Sequence, residues 1–246
     1  MFRHQGKSRT FKHNLQIATV LSLVAGIVNV VGFLEFTQMT THVTGHFALF
    51  INDLTEMKWW KGMIYFLYFF SFLFGSFASS YLIEIYRENK KLNVFVIPTL
   101  IEVLILISIP IAHYNFPINP NFLVCIILFA MGLQNSLVTK ISNAIVRTTH
   151  LTGLFTDLGI ELSQLFFPKT HPQRKTIKRT IKLRIFIISF FFLGGIFGGF
   201  IYSNMEFNLN TLIFPAIILM LSLFYDDMRF QVIRAKRRYR NRKSIA

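Results

Sequence analysis

The chain has 246 residues, of which 53% are hydrophobic, including 29 Phe, and its mean hydropathy is +0.49. Only 15% are charged, where a soluble domain carries about a quarter, so an ordinary soluble fold is excluded. The net charge of +15 would suit nucleic acid, but the charges lie in loops and tails between apolar blocks and form no basic face.

In chain order, residues 1–14 are basic and lead into an apolar span at 15–34. No small-residue cleavage site of the signal-peptide kind follows, so this span is expected to stay in the protein. Further spans are predicted at 59–85, 92–111, 122–138, 183–202 and 209–225. Each approaches the roughly 20 residues needed to cross the hydrocarbon core. Helices are expected throughout, because lipid cannot satisfy open backbone groups. Trp59, Trp60 and Tyr86 flank the second span as interface aromatics do. The lone Cys125 lies inside an apolar run, so neither a disulfide framework nor a cysteine zinc site is expected.

Lys and Arg set the orientation. With both ends cytoplasmic, the inner segments hold 24 of the 26 basic residues, and the outer loops keep Lys58 and Lys61. An eight-span alternative would place Arg87, Lys90 and Lys91 outside and is rejected for that reason.

The sequence repeats itself. Residues 40–45 read Thr-Thr-His-Val-Thr-Gly, and residues 148–153 read Thr-Thr-His-Leu-Thr-Gly. Each copy follows a Gly-x-x-Asn, at Gly26 to Asn29 and at Gly132 to Asn135. The segment 72–79 in span two aligns with 192–199 in span five, and Pro98 aligns with Pro215. Three spans form the unit, and three is odd, so the second copy must enter the membrane from the opposite side. The expected fold is an all-α membrane protein of six transmembrane helices. It comprises two inverted three-helix repeats, each with a short re-entrant or interfacial helix after its first span. The expected divisions are a basic N-terminus 1–14, repeat one 15–118, repeat two 119–225 and a basic tail 226–246.

The candidate solute-binding residues follow from the repeat: Asn29, Thr41, His42, Thr44 and Gly45 in the first copy, and Gln134, Asn135, Thr149, His150, Thr152 and Gly153 in the second. A helix that starts inside a membrane brings unpaired N–H groups and a partial positive charge. Thr can cap such a start, and Gly lets a ligand approach the backbone. The competing reading makes the motifs joints that end helices and stitch the repeats together. An intramembrane Asn bonds more often to a neighbouring helix than to a ligand. After the second motif, Asp157, Glu161 and Gln164 form a polar stripe opposite an apolar face. Glu102 is the acid most central in a span, and Glu102 and Asp157 are the candidates for proton or ion coupling. The small residues Gly75, Ser79, Gly194, Gly195, Gly198 and Gly199 are expected to serve close helix packing. Two histidines without carboxylates or cysteines make a weak metal site, so no metal or cofactor is expected. No Gly-x-Ser-x-Gly, P-loop or dinucleotide fingerprint occurs, and the chain is not expected to be an enzyme.

The run Ala25-Gly26-x-x-Asn29-x-x-Gly32-Phe33-Leu34, with Thr41 to His46, Met131 to Asn135 and Arg147 to Gly153, resembles the bacterial YoaK-like membrane proteins. That family is known as a domain of unknown function, and the resemblance covers roughly residues 15–225. It implies a bacterial inner-membrane protein with no established substrate. The family's pattern has Asp where this chain has Asn29, and Asn where it has His46. If that Asp couples transport to a cation in relatives, this chain lacks the coupling.

The function expected from these features is transport or permeation of a small polar or anionic solute between the two Thr-Gly motifs. The alternative is a non-transporting membrane protein that binds lipid or scaffolds a partner. A membrane-embedded enzyme ranks third and needs titratable groups converging on Glu102, His42 or His150. Expected partners are membrane lipids, with anionic lipid at the basic loops and tail, and an unidentified small solute, but no nucleic acid. Homo-oligomer formation is left open.

Overall fold

The computed structural model describes residues 10–86, 95–167 and 174–243, with side chains in the tail described only in part. Part of the loop and tail charge that sets the expected orientation falls outside the described residues. Eight α-helices follow one another: α1 (Phe11–Phe36), α2 (Thr44–Thr55), α3 (Trp59–Ile85), α4 (Val96–Asn115), α5 (Pro120–Ser142), α6 (Leu151–Gln164), α7 (Arg174–Asn204) and α8 (Ile213–Lys243). A 3-10 turn, Asn208–Leu212, leads into α8. No strand occurs among the described residues. Six segments are long and apolar enough to cross a membrane: α1, α3, α4, α5, α7 and Asn208–Asp226. The chain is a multi-pass membrane protein.

The helix bounds follow local chemistry. Asn119 caps α5, its Oδ1 accepting from Asn121 N–H at 2.9 Å, and Pro120 fills the first helical position, where a missing N–H does no harm. Left-handed residues end α1 at Thr37 and α5 at Asn143. The span predicted at 209–225 opens as a 3-10 turn and then continues as helix to Lys243. No Gly or Pro interrupts residues 226–243, and Arg, Lys, Gln and Ala favour helix. The fourth helix extends to Asn115, beyond the predicted end at 111.

Two crossings dominate the packing: α1 lies along α7, and α3 lies along α5. Both close on glycine. A side chain begun at Gly26 would sit 2.1 Å from the Phe191 carbonyl oxygen, and one at Gly194 would sit 2.2 Å from that of Leu23. At the other crossing, a side chain begun at Gly75 would sit 2.0 Å from the Phe129 carbonyl, and one at Gly132 would sit 2.2 Å from that of Phe72. Backbone thus meets backbone, as small residues permit. Ser76 Oγ donates to the Gly132 carbonyl at 3.1 Å across the second crossing. These contacts correct the sequence register. Alignment paired Gly75 with Gly195, whereas the crossings make Gly194 its counterpart. The doubled glycines at 194–195 and 198–199 hid the one-residue slip.

The remaining contacts also come in corresponding sets. The short helix α2 packs on α3, and α6 packs on α7; α4 touches α5, and α8 touches α1; α1 meets α5, and α4 meets α8. α1 and α5 are the most buried helices, while α3 and α7 turn much of their surface outward. Phe70, Phe74 and Phe77 on α3 and Phe192, Phe197 and Phe200 on α7 are exposed, as a hydrocarbon surround allows. Leu21, Ile27, Val31, Leu106, Met131 and Leu219 belong to the shared core, which reaches all six long segments.

Candidate functional site

α2 runs back along the first half of α3. Leu54 lies against Gly62, Phe50 against Phe66 and Phe69, and His46 against Tyr65 and Tyr68. The first turn of α2 is therefore level with the middle of α3. α6 does the same along α7. Gln164 shares a groove with Thr176 and Thr180, and both Asp157 and Glu161 reach Arg184. Leu151 and Leu154 go deeper, into the core. Both short helices begin beside the middle of the long helix they pack on and run back toward its start, burying only His46 and Leu154.

The loop before α2 is fastened to α1. Thr40 is fully buried and donates from Oγ1 to the Val28 carbonyl at 3.1 Å. It lies flat on Gly32, where a side-chain carbon would come within 2.3 Å of Thr40 Oγ1. Thr41 Oγ1 donates to Asn29 Oδ1 at 2.8 Å. The second copy repeats the bond: Thr149 Oγ1 donates to Asn135 Oδ1 at 2.8 Å. Each Asn thus holds the threonine of its own motif, a partner that the sequence reading had not considered. Asn135 also donates from Nδ2 to the Met131 carbonyl at 2.8 Å. Gln134 does bond across to the other half, donating to the Leu21 carbonyl of α1 at 3.0 Å. The buried Thr148 hydroxyl has no partner among the described residues.

The expectation that threonine caps the short helices fails. Val43 and His150 occupy the cap positions, and neither start receives a side-chain cap. Thr44 and Thr152 sit within the first turns and are exposed. The first-turn N–H groups therefore keep their full positive end. No atom lies within 4 Å of the point where a side chain would begin at Gly153, and at Gly45 only the Met39 side chain does.

The histidines of the first motif lie against Met39 and the tyrosines of α3. Burial first, and then the charge of His150, hold the His42 imidazole below the ordinary value of 6.5. His42 Nδ1 lies 3.3 Å from Thr41 Oγ1, and its Nε2 lies 3.0 Å from Met39 Sδ. His46, named from sequence only as a departure from the family pattern, is 1% exposed and donates from Nε2 to the Met39 carbonyl. Its ring stands edge-on to Tyr68 with centroids 5.0 Å apart, and Tyr68 in turn donates to Asn121 at 2.6 Å. Burial is the largest influence on His46 and lowers it, the Met39 carbonyl raises it, and His42 lowers it again, leaving it below 6.5.

The sign of the pH effect follows. Above 6.5 both rings are neutral, folded or unfolded. Below it the unfolded chain binds protons more readily, so stability present above 6.5 is lost as pH falls through the lowered folded values. The thermal midpoint of the purified protein is expected to drop on acidification below 6.5, and to drop less in the His42→Asn, His46→Asn double variant.

Other candidates lie apart. Glu102 on α4 has no exposure, and neither carboxyl oxygen has a partner among the described residues. No hydrogen bond or ion pair links it to a motif. Asp157 accepts from Arg184 at 2.9 Å, and Glu161 also pairs with Arg184, so the polar stripe of α6 serves as its clamp on α7. Phe155, Ile160 and Phe166 face outward. Arg184→Ala would leave Glu161 mostly buried without its cation, at a cost on the order of 2 kcal/mol. Limited proteolysis should then cut within α6 earlier than in the wild type.

A groove between α1 and α8 and another between α6 and α7 open on the surface, and the motifs line neither of them. No group of three or more His, Cys, Asp or Glu among the described residues is placed to hold a metal ion.

The family described as "Protein of unknown function (DUF1275)" matches residues 17–225. The chain belongs to that family. The matched stretch takes in both Thr-Gly motifs, both Gly-x-x-Asn segments and all four crossing glycines. No curated protein and no solved structure matches the chain.

Proposed function

We propose that this membrane protein carries a small polar or anionic solute past the junction of its two Thr-Gly motifs. In this reading the chain is two inverted three-span repeats, with α2 and α6 entering from opposite faces of a bacterial inner membrane and both termini cytoplasmic. The paired contacts support the repeat: α1 on α7 answers α5 on α3, and the Asn29–Thr41 bond answers Asn135–Thr149. The observation that carries the function is the pair of uncapped helix starts, each tied to its long helix by an Asn–Thr bond. Uncapped N–H groups and the helix dipole favour an anion, and the ring nitrogens of His42 and His150 add hydrogen-bonding groups at the two starts. In this reading the junction alternates between two states, open in turn to either side. Inverted-repeat transporters work in this way, with the site near the midplane and one repeat rocking against the other.

The test is flux into proteoliposomes of chloride, acetate and inorganic phosphate, with glycerol as the neutral control. At least one should enter faster than into empty liposomes, and the Thr44→Val, Thr152→Val double variant should lose that excess. Flux equal to empty liposomes for all four would contradict the proposal.

A further inference from the structure

Glu102 stands on the core-facing side of α4, in line with Thr99, Val103 and Leu106. It has no exposure, and neither carboxyl oxygen has a partner among the described residues. The Thr99 hydroxyl, one turn earlier, is already given to the Phe95 carbonyl at 3.0 Å. Glu102 lies about 9 Å along the axis from the start of α4, within its apolar stretch rather than at the rim.

Packing does not ask for an acid at this position. Pro98 corresponds to Pro215, so Glu102 corresponds to Leu219, each four residues after its proline. Leu219 is fully buried in the same core. One half of the bundle thus fills the position with leucine, and the other carries a carboxyl group whose burial opposes folding. An ionisable side chain held in a membrane core against that cost points to a function.

The surroundings indicate what binds there. A hard metal ion takes several oxygen ligands, and Glu102 belongs to no group of three or more His, Cys, Asp or Glu among the described residues. An ion pair needs a cation. On the elements packed against α4, Lys140 of α5 is bonded to Glu84 of α3 at 2.8 Å, Lys61 of α3 is exposed, and Asp226 of α8 is already engaged. The 3-10 turn carries no charge. Tyr225 of α8 and Cys125 of α5 make no bond to Glu102 either. A proton removes the charge with no further ligand.

We propose that Glu102 is the proton-binding site of the transport cycle, holding its proton in the arrangement described here and releasing it to water in the open state. The step makes and breaks one O–H bond: the carboxylic acid gives its proton to water and is left as carboxylate. This rests on the transport reading above and adds its coupling to protons. A neutral Glu102 stays buried, whereas an ionised one has to reach water, so its charge selects between two states of the bundle. α4 packs on α5, and α5 holds the second motif through Asn135, so a movement of α4 is passed to that motif.

Three readings on the full chain test this. Infrared spectra of wild type minus Glu102→Leu at neutral pH should show the carbonyl band of a protonated carboxylic acid; its absence would overturn the proposal. The thermal midpoint of Glu102→Leu should equal or exceed that of wild type, as Leu219 suggests, and a midpoint well below it would make Glu102 structural. In proteoliposomes given chloride, acetate or inorganic phosphate, an inward proton gradient should drive accumulation in wild type. For a monovalent anion and one proton the limit is about tenfold per unit of pH. Glu102→Gln should lose the response to the gradient. Solute entry that ignores the gradient in wild type, or responds equally in Glu102→Gln, would overturn the coupling and leave the transport reading standing. Entry of none of the three would defeat the transport reading and the coupling together.

Discussion

Gly132→Val is expected to abolish the folded protein, and Gly26→Val to do so equally. At both positions the first added carbon lands on a carbonyl oxygen, at 2.2 Å from that of Phe72 and 2.1 Å from that of Phe191. A flexible side chain could swing aside, but helix backbone cannot. Overpacking a core costs about 1–3 kcal/mol where neighbours yield. Here the helices α3 and α5, or α1 and α7, must separate along their whole contact, so the loss is set above that range. Gly→Ala at either site should already lower the thermal midpoint markedly. Gly159→Ala is the control. No atom lies within 4 Å of its added carbon, and an exposed helical Gly→Ala gains roughly 0.5–1 kcal/mol. Fluorescence-detected size exclusion of these five variants, with heating, reads the contrast directly.

The second large effect is functional. Thr41→Val keeps the shape of the side chain but removes the donor to Asn29, and Thr149→Val does the same for Asn135. Each leaves an amide oxygen unpaired inside the bundle, at a cost of about 1–3 kcal/mol. The motifs are held to α1 and α5 at these points, so the helix starts should lose their fixed relation to one another. The double variant is expected to fold, with a lowered thermal midpoint, and to carry solute at least tenfold more slowly. A double variant with normal flux would mean that the Asn–Thr bonds only terminate helices, which is the joint reading of the motifs.

How much of this was legible beforehand depends on what leaves a local signal. Hydropathy exposes a span because every residue in it contributes, and Trp59 to Ile85 came out at the same bounds in sequence and structure. The repeat was visible because six consecutive positions nearly match. The use of each motif's second Thr was not, because an Asn–Thr bond within one repeat and an Asn facing a neighbour look identical in sequence. The pairing of α1 with α7 joins residues far apart, and nothing local marks it. Arg184 counted in sequence only as an inner positive charge, yet it holds α6 through two carboxylates. Glu35 drew no notice at all. It accepts from Tyr202 at 2.8 Å, 167 positions away, and lies 3.4 Å from His113 on a third helix. His46 belongs to the same class, since its partners are a loop carbonyl and two tyrosines one helix later.

In the proposed transport reading, the two Thr-Gly motifs enter from opposite membrane faces and approach one another within the membrane. Spin labels at Thr44 and Thr152, in a Cys125→Ser background and in liposomes, measure it by pulsed dipolar spectroscopy. One distance distribution centred well below the hydrocarbon thickness of about 30 Å is expected. A distribution centred at or beyond that thickness would place the motifs at separate surfaces and contradict it.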